Sequence, residues 1–297
     1  MIYLDSAATS FYKPTSVRSA VNKALTTMAS PGRGAYPPAM LASETLTACR
    51  EAAAALFTFN ATHALNLAIR TLYRPGMRVV ISGFEHNSVT RPLHALGAEM
   101  SIAGKKLFDP DDTIENFRRL LPGAGFAVCT CVSNVFGYIL PVREIAALCR
   151  EENVPLILDA SQSAGVLDLD MQSLAPAFAA MPGHKALMGP QGTGLLLCGQ
   201  DAAPLLFGGS GSDSMEQLMP VCLPDRLEAG THNVCGIAGL LAGIRAVRQM
   251  GLANIAKKEE QLLRSAVPIL ERSDLGLFVG MHGTQSGVLS QIGRAHV

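Results

Sequence analysis

The chain has 297 residues, of which 48% are hydrophobic and 16% charged, a composition typical of a soluble globular protein with a substantial core. The 24 basic and 24 acidic residues balance, so no net positive field favours nucleic acid or an anionic membrane. There is no signal-peptide pattern and no apolar run of roughly 18 residues, and the seven cysteines lack paired spacing, so we expect reduced thiols and a cytoplasmic location.

Short apolar runs alternate with helical patterns, which predicts an α/β fold with a mostly parallel central sheet flanked by helices. The predicted strands are Arg78–Ser82, Phe126–Val132, Pro155–Asp159 and Gly192–Cys198. Helices are predicted at His63–Leu72, at Val142–Glu152 and over a long region from Gly236 to about Glu271. For Cys129 and Cys131, two apart on one predicted strand, we expect packing rather than redox or metal chemistry.

The order of these elements predicts the division of the chain. We expect an amino-terminal segment over 1–15, a large domain over 16–250 and the beginning of a smaller domain over 251–290. The final residues 291–297, Gln-Ile-Gly-Arg-Ala-His-Val, correspond to CAG ATC GGA AGA GCA CAC GTC, a string that contains a common sequencing-library adapter. We therefore expect them to be an artefact; the alternative is a genuine short tail.

Two polar groups in the first third of the chain are candidates for binding an anionic cofactor. Asn60-Ala61-Thr62 open a predicted helix, whose free N–H groups can hold a phosphate, with the Thr62 hydroxyl as a further donor. Ordinary helix capping explains the same residues. His86 follows the strand Arg78–Ser82, where an imidazole can stack on a flat ring, shuttle protons or serve a structural role.

An acidic residue ends the apolar run Leu156-Ile-Leu-Asp159. A carboxylate at the carboxyl edge of a sheet lies where α/β folds bind ligands. It suits the pyridine nitrogen of pyridoxal 5′-phosphate (PLP), because a protonated ring is the better electron sink. Gln162 would then donate to the phenolic oxygen of the ring. The alternative for Asp159 is an N-cap of the following helix.

A lysine bracketed by turn-forming residues follows, in Met181-Pro-Gly-His-Lys185 and Gly189-Pro-Gln-Gly-Thr-Gly194. A lysine that forms a Schiff base must be held by the scaffold, and its amine must be partly deprotonated through burial and nearby positive charge. Alone, Lys185 is better explained as an exposed loop residue. Its companions Asn60–Thr62, His86 and Asp159 favour the Schiff-base lysine.

Taken in order, these segments resemble the class V aminotransferase-fold PLP enzymes and, within them, the cysteine desulfurase family. The resemblance extends from the amino terminus to about Ser290. In chain order its motifs are Ile2-Tyr-Leu-Asp-Ser-Ala-Ala-Thr9, Ser30-Pro-Gly-Arg-Gly34, Asn60-Ala-Thr62, Glu85-His86, Val132-Ser-Asn134, Asp159-Ala-Ser-Gln162, Gly183-His-Lys185, Gly208-Gly-Ser-Gly211 and Arg226-Leu-Glu-Ala-Gly-Thr231.

The resemblance implies the type I PLP fold, a homodimer with active sites at the subunit interface, and roles for particular residues. It makes Lys185 the lysine that bonds to the cofactor, His86 the residue stacked on the ring, Asp159 the partner of the pyridine nitrogen and Gln162 that of the phenolic oxygen. Asn60, Ala61, Thr62 and His184 would hold the phosphate, and Asn134 would face the substrate. Ser212, in the Gly208–Ser214 loop, would reach the phosphate of the other subunit.

The implied reaction converts L-cysteine to L-alanine and an enzyme-bound persulfide, which a sulfur-acceptor protein would receive. Pro182 replaces a serine of many relatives, and Ser6 and Phe136 stand where Asn and Thr are expected. In the family, the nucleophilic cysteine and the carboxylate-binding arginine lie in the C-terminal small domain, so we expect neither here and regard the chain as incomplete.

Three other functions stay open: a selenocysteine lyase, a class V aminotransferase, or a catalytically silent PLP-binding fragment. A nicotinamide-binding Rossmann domain is disfavoured, because no G-x-G-x-x-G follows the first strand.

Overall fold

The structure is a computed structural model that describes residues 2–32, 34–212, 215–273, 275–281 and 283–293. The helices are α1 (Thr15–Thr27), α2 (Pro37–Ala53), α3 (Ala61–Leu72), α4 (Asn87–Ala95), α5 (Pro110–Leu120), α6 (Val142–Glu151), α7 (Met171–Leu174), α8 (Val234–Met250) and α9 (Leu252–Leu270). The strands are β1 (Leu56–Thr58), β2 (Arg78–Ser82), β3 (Glu99–Ala103), β4 (Phe126–Thr130), β5 (Leu156–Asp159), β6 (Phe178–Pro182), β7 (Gly194–Cys198), β8 (Gly276–Phe278) and β9 (Ser290–Ile292).

Within the described residues, the central sheet has seven strands in the order β1-β7-β6-β5-β4-β2-β3. Only β7 runs antiparallel to its neighbours, which are β1 and β6, and the other pairs are parallel. The predicted α/β fold with a mostly parallel sheet is confirmed. Because β2, β4, β5 and β6 run in one direction, their carboxyl ends meet at the same edge of the sheet, which is where such folds bind ligands.

Side chains that alternate along the strands divide the core between the two faces of the sheet. On β2, Val80 belongs to one apolar cluster, whereas Val79 and Ile81 belong to the other. Cys129 and Cys131 are fully buried in the first cluster, as the packing prediction expects. Burial raises the pKa of the Cys131 thiol to about 12, which keeps it protonated near neutral pH.

Several predicted boundaries are wrong by one or two residues. The strand predicted to reach Val132 ends at Thr130, although Cys131 N–H still donates to the Asp159 carbonyl. The long predicted helical region is two helices, because Gly251 adopts a φ of 78° and interrupts it between α8 and α9. The prediction also missed β6, whose sequence Phe-Ala-Ala-Met-Pro contains no β-branched residue.

The last described residues form a separate small sheet. β8 pairs antiparallel with β9, with Gly276 opposite Ile292. The predicted artefact at 291–297 therefore overlaps β9, and its residues 294–297 lie outside the described part of the chain. The domain limits at 15, 250 and 290 stay predictions. None of the helices in the described ranges has the length and apolar character needed to cross a membrane.

Candidate active site

A cavity of about 210 Å³ opens at the carboxyl edge of the central sheet. It brings together residues from separate parts of the chain, and it includes every predicted site residue except Ser212. Its lining consists of Asn60, Ala61, Thr62, His86, Ser88, Thr130, Val132, Asn134, Asp159, Ser161, Gln162, Pro182, His184 and Lys185.

Lys185 lies in the loop between β6 and β7, as predicted from its glycine-rich surroundings. Burial lowers the pKa of its amine, and the negative charge of Asp159 opposes this by raising it. The predicted direction is therefore confirmed, but half of the predicted cause is wrong. Burial alone lowers the pKa, and the charge that acts on Lys185 is negative rather than positive.

Asp159 ends β5 and is only 2% exposed. Its Oδ1 accepts a hydrogen bond of 2.9 Å from the Ser161 N–H, so it closes a tight turn. The next helix, α7, begins at Met171, which excludes the alternative of a helix N-cap. Asp159 and Lys185 line the same cavity, and the charge of Asp159 acts on the Lys185 amine.

The segment Asn60–Thr62 lies at the beginning of α3, where the same residues cap the helix and line the cavity. The Asn60 side chain is the N-cap and accepts from His63 N–H at 2.8 Å, while Ala61 and Thr62 line the cavity. The Thr62 hydroxyl lies 2.7 Å from the Ser88 hydroxyl. The close approach of β7 requires glycine at 194, since a Cβ there would lie 2.6 Å from the Asn60 carbonyl carbon.

His86 is the N-cap of α4, and this fixes its ring. Its Nδ1 accepts from Ser88 N–H at 3.1 Å, so a neutral imidazole carries its proton on Nε2. Sequence reasoning missed Ser88 and Thr130 as cavity residues. The position of Ser88, two residues after a capping histidine at a strand's carboxyl end, was the available signal.

Glu85, beside His86, was quoted in a motif but received no role. The residue is half-buried with its carboxyl inside, and its Oε1 accepts from the Ser82 hydroxyl at 2.5 Å and from Thr130 N–H at 2.7 Å. Burial raises the pKa of this carboxyl to about 8, so it is largely neutral at pH 7. Glu85 thereby ties the loop that carries His86 to the end of β4.

The amino-terminal segment lies against the Lys185 loop, which the sequence did not predict. Ser10 N–H and the Lys13 ammonium both donate to the His184 carbonyl, at 3.1 and 2.8 Å. Gln162 donates to the carbonyl of Ala7 at 3.0 Å. Residues more than 150 positions apart in sequence therefore meet at one side of the cavity.

Ser212 lies outside this cavity, and its hydroxyl donates to Asp225. Asp213 and Ser214, which complete the predicted phosphate-reaching loop, lie outside the described residues. The predicted role of Ser212 concerns the phosphate of another subunit, so it stays a prediction.

The site combines a half-buried lysine, a buried carboxylate and several small hydrogen-bond donors at the edge of a mostly parallel sheet. This combination is typical of enzymes whose chemistry depends on an active-site lysine. A family model described as aminotransferase class-V matches residues 2–291. The chain therefore belongs to the aminotransferase class-V family, whose members are PLP-dependent enzymes.

Within this family, individual relatives that resemble the chain are cysteine desulfurases by name. A probable cysteine desulfurase from Methanothermobacter thermautotrophicus is 31% identical over an alignment of 281 residues that covers 86% of this chain and 69% of the relative. Another from Pyrococcus abyssi is 27% identical and covers 93% of this chain and 74% of the relative. The apo structure of cysteine desulfurase from Thermococcus onnurineus NA1 matches with a TM-score of 0.88 and 27% identity, over 99% of this chain and 79% of that one. The chain is cysteine desulfurase-like.

Proposed function

We propose that this chain binds PLP through Lys185 and uses it to remove the Cα proton of L-cysteine, the step that precedes release of L-alanine and sulfur. The observation that carries the proposal is the convergence of a lysine of lowered pKa and a buried carboxylate in one cavity with donors suited to an anion. The names of the relatives support L-cysteine as the substrate.

The residues present fit this cofactor. A cavity of about 210 Å³ is smaller than the roughly 300–1,000 Å³ typical of drug-sized ligands, which suits a single-ring group. Asp159 offers an anion, while Thr62, Ser88 and His184 offer donors for a phosphate. When bound, PLP supplies an aldehyde carbon for covalent attachment and a ring that withdraws electrons from Cα.

In this proposal, Lys185 acts first as a nucleophile and then as a base. Its lowered pKa increases the fraction of neutral amine, the form that can attack a carbonyl or accept a proton. Asp159, through its buried carboxylate, would keep the pyridine nitrogen protonated. His86, with its ring fixed by Ser88, would stack on the flat group and present Nε2–H. Gln162 would donate to the phenolic oxygen.

The remaining roles concern the phosphate and the substrate. We assign the phosphate to Asn60, Ala61, Thr62 and His184, at the beginning of α3 and beside Lys185. Ser212 would serve the phosphate of the other subunit. Asn134 lines the cavity and is assigned to the substrate.

The sulfur step needs a thiolate, and the cavity offers none within the described residues. None of the seven cysteines lines it, and burial raises the pKa of several of them, including Cys131 and Cys149. The proposal therefore gives none of these cysteines the role of taking sulfur from L-cysteine. A sulfur-acceptor protein is proposed as the eventual partner.

The wider setting is also a proposal. Free cysteines throughout the chain suit a reducing, cytoplasmic compartment. A homodimer is proposed because large apolar side chains are exposed between residues 206 and 223. The break at Gly251 and the separate β8–β9 sheet support a large domain over 16–250 and a smaller one that begins at 251.

Proton exchange tests the proposal without requiring the sulfur step. The protein is incubated with PLP and L-cysteine in D₂O, and deuterium at Cα is followed by NMR. We expect exchange with the wild-type chain and its loss in Lys185→Ala, with Lys23→Ala, at an exposed position of α1, as the matched control. Wild-type protein that binds PLP but gives no exchange would refute the proposed chemistry.

A further inference from the structure

The amino-terminal segment places more hydrogen-bond donors near one carbonyl oxygen than this oxygen can accept from. The His184 carbonyl has four candidate donors: Thr9 Oγ1 at 3.1 Å, Ser10 N at 3.1 Å, Ser10 Oγ at 3.0 Å and Lys13 Nζ at 2.8 Å. A carbonyl oxygen has two lone pairs, so two of these contacts are not hydrogen bonds to it. Which two is decided by the other acceptors within reach of each donor.

Two of the four donors are the ones that bond to this carbonyl, Ser10 N–H and Lys13. Ser10 N–H has no other acceptor among the described contacts. The Lys13 side chain makes the shortest contact; burial lowers its pKa to about 8, so at neutral pH it is still mostly a charged donor, and its neutral amine also donates. The Ser10 hydroxyl has an alternative acceptor in the Lys185 carbonyl at 2.9 Å, and it accepts from Lys13 at 2.5 Å. The carbonyl of His184 is therefore filled by Ser10 N–H and Lys13.

The Thr9 hydroxyl then has one acceptor left for its single hydrogen, the His184 Nδ1 at 3.1 Å. Burial and the positive charges of Lys185 and Lys13 lower the pKa of the His184 imidazole, so at neutral pH the ring has one N–H. If Nδ1 accepts from Thr9, that hydrogen lies on Nε2.

We propose that Lys13 is a positioning residue that sets the tautomer of His184. By occupying the carbonyl, Lys13 directs the Thr9 hydroxyl to Nδ1 and leaves Nε2–H as the donor of the ring. Without Lys13, the hydroxyl can donate to the carbonyl and accept from Nδ1–H, which would turn Nε2 into an acceptor that repels an anion. The tautomer does not depend on any cofactor; only its use, as a donor to a phosphate, rests on the proposed function.

The tautomer is measured directly by long-range ¹H–¹⁵N correlation NMR of the cofactor-free chain, at about pH 7.5, above the ordinary histidine pKa. The His184 signals are assigned by their absence in His184→Gln. In the wild type we expect only the Nε2–H tautomer of His184. In Lys13→Met and in Thr9→Val we expect a mixture in which the Nδ1–H tautomer also appears. Thr9→Ser retains the hydroxyl and should give the wild-type spectrum, as should Lys23→Met, at an exposed position of α1.

An Nδ1–H tautomer in the wild type overturns the inference without any variant, as does an unchanged spectrum in Lys13→Met. A second arm titrates PLP: Thr9→Val should weaken binding about fivefold to tenfold, the effect of one hydrogen bond. The expected NMR changes in a chain that does not bind PLP would support the tautomer assignment and refute the proposed function. Failure of the tautomer assignment and failure of the proposed function therefore give different results.

Discussion

Burial holds the carboxyl of Glu85, beside the cavity, in its neutral form. This carboxyl accepts two hydrogen bonds and yet has its pKa raised to about 8. Its second oxygen, Oε2, has no partner among the described residues. A charge there would be unpaired and near Asp159, which is why the proton is retained.

This burial predicts a stability effect for Glu85→Gln. The folded pKa lies above the ordinary value, so the carboxyl's contribution is fully present below about pH 4.5 and is lost as the pH rises towards 8. Gln accepts the same two hydrogen bonds and has no charge. We expect Glu85→Gln to be more stable than the wild type at pH 8, by about 4 kcal/mol, and this gain to shrink at about pH 5.

Urea unfolding at the two pH values measures the difference, with Glu51→Gln on the exposed face of α2 as the control. A gain for Glu85→Gln that is the same at both pH values would show that the buried carboxyl is not the cause.

The interaction between Asp159 and Lys185 predicts a change in pH dependence. The negative charge of Asp159 raises the pKa of Lys185 against the effect of burial, so Asp159→Asn should lower that pKa further. Asn retains an oxygen for Ser161 N–H. We expect the pH profile of PLP attachment rate to move to lower pH, whereas Asp111→Asn, exposed on α5, should leave it in place. A shift to higher pH in Asp159→Asn would contradict this.

At the scale of elements, the site depends on how closely β7 packs against the beginning of α3. Gly194 lies opposite Pro182 in the sheet, and a methyl group added to it would meet the backbone of Asn60 at 2.6 to 2.8 Å. Backbone atoms cannot move aside as a flexible side chain can, so the N-cap of α3 would have to shift.

We therefore expect Gly194→Ala to cost about 1–3 kcal/mol of stability and to weaken PLP binding about tenfold or more, because the phosphate donors move with α3. Thermal unfolding and a PLP titration measure the two effects. Gly276→Ala, where a Cβ has only an ordinary contact at 3.9 Å, is the matched control. If Gly194→Ala keeps the wild-type affinity for PLP, the beginning of α3 does not hold the phosphate.

The sequence predicted those elements and site residues that carry their own local signal. The strand β2 was predicted to the residue, because Arg-Val-Val-Ile-Ser is rich in β-branched residues. The positions of Asp159 at a strand end and of Lys185 in a loop were also predicted, whereas the roles assigned to them came from the ordered set of segments and stay predictions. The strand β6 was missed, since its alanines have low strand propensity and only burial between β5 and β7 makes them a strand.

The contacts of the amino-terminal segment could not be predicted from local pattern. Thr9 and His184 are 175 residues apart, and nothing in the spacing of Thr9, Ser10 and Lys13 indicates that they meet one carbonyl. The enclosure of Glu85 likewise depends on the end of β4, 45 residues away. Such contacts arise from topology, which brings distant segments to one edge of the sheet.

Considered as a whole, the described part of the chain exposes large apolar side chains near the amino terminus, on α1 and α9, and in a cluster along residues 206–223. Phe207 is 77% exposed, Leu218 81% and Val221 86%, and all lie in the irregular segment before α8. An exposed apolar surface of this kind is typical of a protein–protein interface. It supports the proposed homodimer.

We expect Val221→Glu to shift the protein from dimer to monomer, because the added charge would have to be desolvated in the interface. Sedimentation velocity across a concentration series measures the shift. Leu25→Glu, at an apolar position on α1 that is 67% exposed, is the control and should leave the dimer intact. A wild-type chain that is monomeric throughout the series would refute the dimer.

The central claim, that Lys185 holds the cofactor, is tested most directly by reduction and mass spectrometry. The wild-type chain is incubated with PLP, reduced with borohydride and digested, and the modified peptide is sequenced. Covalent phosphopyridoxyl mass on Lys185, absent from Lys185→Ala, is the predicted result. Stoichiometric labelling of another lysine in the folded wild type, or a Lys185→Ala variant that keeps the same specific label, would contradict the assignment.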